Sequence, residues 1–157
     1  MVYGAAYTLF TPLFGFLNDK GLDGLVIMLI GNFLITLGFV FIGPLPPLRM
    51  IGGHLWLTIV SMLVQGIGSA GTFLASLLYM MKSIREAGLP ETDQSKGMVS
   101  SLWVVGDCIG GFVGSVLGGF AYDALGFQMG TSIEVGCMSF TLIIICGYIF
   151  LRSKKNM

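Results

Sequence analysis

Asp107 is the residue in this chain whose type and setting point most directly to chemistry. It is a carboxylate inside an apolar run from Met98 to Ala121. An ionisable group at membrane depth is costly and usually faces a bundle interior or a wet cavity. There it has one of two roles. Either it exchanges a proton for a cation, because a low dielectric favours the neutral acid while a cationic partner favours the carboxylate, or it ties two helices together by a hydrogen bond. Glu134, about seven residues into the last apolar run, is a second acid of this kind. It lines an exit path, sits in a wet outer vestibule or bonds to a neighbouring hydroxyl. Asp107 and Glu134 are therefore the expected proton- or cation-coupling residues.

Other chemistries are excluded by what is missing or misplaced. His54 is the single histidine, so a Ser-His-Asp or Cys-His hydrolase is implausible. As a sensor of an acidic lumen it would stand alone, and a lone interfacial histidine is more often incidental. Cys108, Cys137 and Cys146 fall in apolar runs with no CxxC spacing, which speaks against a zinc site or a disulfide framework. Gln65-Gly66-Ile-Gly68-Ser-Ala-Gly71 contains the letters of a dinucleotide fingerprint, but that motif needs a preceding strand and a soluble βαβ unit. Inside a membrane helix it predicts close helix packing. No cofactor, no metal and no enzyme activity is expected.

The elements that must position these acids are membrane helices. Of 157 residues, 55% are hydrophobic and 10% charged, and mean hydropathy is +0.89. Soluble domains carry about 25% charged residues. Apolar runs at about 2–17, 24–43, 55–81, 98–121 and 127–151 predict an all-α protein of five spans, with a linker at 82–97 and a tail at 152–157. Crossing the hydrocarbon takes about 20 residues, so the last four runs qualify and the first is short. Gly106, Gly110, Gly114 and Gly118 lie four apart, with Gly111, Ser115 and Gly119 beside them. Such a face admits the close approach of another helix.

If five helices alternate, Lys20, Lys82, Arg85, Lys96, Arg152, Lys154 and Lys155 fall on one side and Arg49 on the other. That asymmetry places the C-terminus in the cytoplasm. It also puts Asp107 about nine residues into its span from the cytoplasmic end, or about 14 Å deep at roughly 1.5 Å per residue. That depth is near the midplane, where transporters bind substrates. Zero net charge argues against a nucleic-acid partner.

The first loop, Gly15-Phe-Leu-Asn-Asp19-Lys20-Gly21, resembles the signature of the major facilitator superfamily, which joins the second and third helices of each six-helix half on the cytoplasmic face. The span after Lys96-Gly97, closing in Gly118-Gly119-Phe-Ala-Tyr-Asp-Ala-Leu-Gly-Phe127, is similar to the eleventh helix of such transporters. In that register the chain covers helices eight to twelve of a twelve-helix fold and is a fragment or a shortened isoform. Gly43-Pro-Leu-Pro46 and Lys96-Gly-Met-Val-Ser-Ser-Leu-Trp103 most resemble the vesicular amine group, and its polyamine branch above all. The run 55–81 has no acidic residue, whereas monoamine members carry one in the matching helix. The resemblance implies proton-coupled antiport of a small organic cation into vesicles. It implies a gating loop at Gly15, Asp19 and Lys20, with Asp19 favouring one conformation through a neighbouring helix dipole. The expected partners are the bilayer, the cation and its proton, and the missing N-terminal half or a full-length transporter.

Overall fold

The computed structural model describes residues 1–42, 55–86, 88 and 92–155. Five helices follow one another: α1 (Val2–Asp19), α2 (Gly24–Ile42), α3 (Leu55–Glu86), α4 (Asp93–Leu125) and α5 (Phe127–Lys155). By length and apolarity, α2 to α5 each qualify as membrane-crossing, and α1 is not among them. His54, Arg49 and the Gly43–Arg49 loop lie outside the described residues.

Helix α3 is the centre, packed against α2 on one side and α1 on another. Glycine makes both contacts possible. A Cβ on Gly68 would stand 2.5 Å from the Gly31 carbonyl oxygen and 2.9 Å from the Ile35 nitrogen of α2. One on Gly66 would stand 2.5 Å from the Tyr3 carbonyl oxygen of α1. Backbone lies against backbone at both places, so the Gly66–Gly71 motif is a packing surface, as expected. Asn32, Ser61 and Gln65 are buried in the same region. Ser61 donates to the Leu57 carbonyl at 2.7 Å, and Asn32 reaches across to the Met138 carbonyl of α5 at 3.3 Å.

The helices run further than the apolar stretches. Most of the 82–97 segment is helical, because α3 continues to Glu86 and α4 begins at Asp93. Thr92 caps α4 by accepting from the Ser95 amide at 3.3 Å, and Asp93 occupies the first turn, both favourable at a helix N-terminus. Hydropathy detects the lipid-facing part of a helix and misses polar turns that project beyond it. Helix α5 likewise extends into the 152–157 tail, as far as Lys155. Tyr122 and Asp123, between the apolar runs 98–121 and 127–151, belong to α4, and the break is Gly126 alone at φ 79°. The first loop closes at Gly21, whose φ of 92° favours glycine.

Ion pairs and hydroxyls gather at one end of the bundle. Lys82 bridges to Asp23 at 3.1 Å, Arg152 to Glu86 at 3.5 Å, and the Tyr79 and Tyr148 hydroxyls meet at 3.1 Å. This charged end joins the α1–α2 loop to α3 and α3 to α5.

Candidate functional site

A cavity of about 650 Å³ opens between α1, α3 and α4, with Ile35 of α2 at its back. Helix α3 supplies Ser69, Thr72, Phe73, Ser76 and Met80, positions that share one face by helical spacing. Tyr3 and Tyr7, four apart, come from α1, while α4 contributes Leu102, Trp103, Gly106 and Asp107. Asp107 thus stands in a cavity. It is exposed there.

The cavity wall beside the carboxylate is aromatic. Phe73 packs edge-on between two rings, Trp103 at 4.2 Å and Tyr7 at 6.0 Å. Trp103 Nε1 donates to Ser76 Oγ at 3.0 Å, and Ser76 Oγ donates in turn to the Phe73 carbonyl at 2.8 Å. This relay fixes the indole and pins α4 to α3. Thr72 Oγ1 donates to the Gly68 carbonyl at 3.0 Å and lies against Gly31 of α2. Among the described residues no hydrogen bond or ion pair reaches Asp107 itself. A carboxylate that shares a cavity with an indole and a phenyl ring suits a cationic ligand, which ring quadrupoles and a negative charge both attract.

Sequence alone did not mark Tyr3, Tyr7, Thr72, Phe73 or Ser76, and it gave Trp103 no role in a site. The available signal was spacing: Trp103 precedes Asp107 by one helical turn, and Phe73 and Ser76 share a turn of α3. Ser69 lines the cavity, whereas Gln65 is turned into the α2–α3 contact beside Gly38.

The other expected residues lie elsewhere. Glu134 is half-buried on α5 and does not line this cavity. Gly106 touches the cavity, but a Cβ at Gly106, Gly110, Gly114 or Gly118 would meet nothing within 4 Å. The packing expected of this ladder has no partner among the described residues. In the loop expected to gate, Gly15 sits at ordinary contact distance from Leu74, its Cβ position 3.7 Å from that side chain. Lys20 Nζ lies 4.6 Å from the centre of the Phe16 ring. Asp19 lines a second cavity together with Ser95 and Lys96 of the first turn of α4. It therefore shares a cavity with a helix start, one that Thr92 already caps.

Comparison with known proteins gives a consistent answer. The profile of the Major Facilitator Superfamily matches residues 1–157. The MFS-type transporter SLC18B1 of Homo sapiens is 32% identical over 130 residues, covering 82% of this chain and 28% of the relative. The Mus musculus and Rattus norvegicus proteins of the same name are 30% and 29% identical over the same length. The chain thus spans 28% of the length of the curated relatives it matches. No solved structure matches.

Proposed function

The chain belongs to the major facilitator superfamily, and from that premise we propose that it forms one wall of a proton-coupled path for small organic cations such as polyamines. The observation that carries this is the Asp107 carboxylate standing in an open 650 Å³ cavity beside Phe73 and Trp103. An ammonium group held there gains both a counter-charge and aromatic faces. A proton competing for the same carboxylate releases it, which is the simplest coupling for antiport. Glu134, outside the cavity on α5, serves the outer part of the path. The helices take the places of the last five of a twelve-helix fold, with the C-terminus cytoplasmic and the membrane that of an intracellular vesicle. The opposing wall comes from an N-terminal half.

The test is Asp107→Asn in the full-length transporter, reconstituted in vesicles with a proton gradient and labelled spermidine. Losing one charge-assisted contact should lower uptake by about tenfold or more. Unchanged gradient-driven uptake would refute the role of Asp107.

One observation favours a second reading. The open glycine face of α4 suits a truncated isoform that pairs with a full-length transporter and moves nothing by itself. Co-purification of the 157-residue chain with the full-length protein, and no uptake by the short chain alone, would support it.

A further inference from the structure

The second cavity, about 530 Å³ at the charged end, shares no lining residue with the one at Asp107. Its lining is amphipathic. Among the described residues of the lining, Lys82 and Arg85, three apart on α3, and Lys96 on the first turn of α4 are cations and Asp19 is a carboxylate. Leu78 and Val99 supply apolar surface between them. Val99 is the buried residue of α4 and Leu78 is half-buried, so this apolar surface lies between the helices. The ion pair of Lys82 with Asp23 involves side chains 48% and 52% exposed. Exposed pairs of this kind are weak, so Lys82 can turn to a stronger anion.

A solvated cationic face needs no concavity and no apolar surface between helices. Cations around an apolar pocket at the end of membrane helices match a phosphorylated headgroup with its first methylenes. We propose that this cavity binds a phosphate group, held by Lys82, Arg85 and Lys96, from an anionic phospholipid or from a soluble phosphate compound. The bound group spans α3 and α4 across the short link between Glu86 and Asp93. It therefore fixes the position of the α4 start relative to Asp19. The site is independent of what the Asp107 cavity carries.

Two measurements on the full-length chain test it. In nanodiscs of mixed phosphatidylserine and phosphatidylcholine, native mass spectrometry should find phosphatidylserine retained over phosphatidylcholine by about fivefold or more, the worth of one interfacial cation. The Lys82→Gln/Arg85→Gln/Lys96→Gln variant should bring the ratio near one. Lys154→Gln, a cation outside the cavity, and the charge-keeping Lys82→Arg/Lys96→Arg variant should preserve it. In neutral detergent, inorganic phosphate should raise the melting temperature of wild type and not of the triple variant if the source is soluble. A lipid preference or a phosphate shift that the triple variant loses, and the other two keep, supports the site and identifies the source. Absence of both responses in wild type, or equal loss in Lys154→Gln, overturns it.

Discussion

Helices α3 and α4 are alike in composition and opposite in fate. Both carry several glycines in helical register, and both cross the apolar region. In α3 the glycines let neighbouring backbones approach so closely that a single added carbon at Gly66 or Gly68 would overlap a carbonyl. In α4 the ladder from Gly106 to Gly118 looks onto open space. Without a hydrophobic force between helices in lipid, small residues permit close approach but do not supply the partner. The partner of α3 is encoded in this chain, in Gly31 and Ile35 of α2 and Tyr3 and Ala6 of α1. The ladder of α4 has no such partner among the described residues.

The contrast can be broken most severely at Gly68. Gly68→Ala puts a carbon where the Gly31 carbonyl stands, and backbone on both sides resists adjustment. Overpacking of this kind costs about 2–3 kcal/mol, to be read as a lower unfolding midpoint in denaturant-titrated detergent. A smaller loss is expected from Trp103→Leu, which removes the indole pin between α4 and α3. The edge-on ring pair with Phe73 and the hydrogen bond to Ser76 together are worth about 1–2 kcal/mol, and the same measurement should show it. Gly110→Leu should change the stability of this chain by less than about 0.5 kcal/mol, because a Cβ at that position meets nothing within 4 Å. The same substitution in a full-length transporter should depress uptake if the ladder meets the other half there. A stability loss in the isolated chain would mean the ladder is packed after all.

How far the sequence predicts the structure depends on where the information lies. Helix number is local information, carried by continuous apolar runs: five runs are expected and five helices are present among the described residues. Helix ends are set by Thr92, Gly21 and Gly126, single residues acting on backbone geometry, and hydropathy does not register them. Asp107 is legible because a carboxylate contrasts with its apolar surroundings. The rings of Tyr7, Phe73 and Trp103 offer no such contrast on apolar helices. They come together only when three segments far apart in sequence pack against one another. The Gly66–Gly71 motif is legible as packing from its setting, while the α4 ladder, read by the same rule, finds no neighbour. A face that permits contact looks the same in sequence whether its partner is near or absent.

The one-residue joint at Gly126 constrains how this assembly can move. A single extended residue spans at most about 3.6 Å, and the Gly126 amide still bonds to Tyr122 while the Gly126 carbonyl receives the Gly130 amide. Helix α4 can swivel at this joint but has no slack to slide along its axis. An axial displacement of the Asp107 helix is therefore handed on to α5, and through the Asn32–Met138 clasp to α2. Three helices must then travel as a linked train.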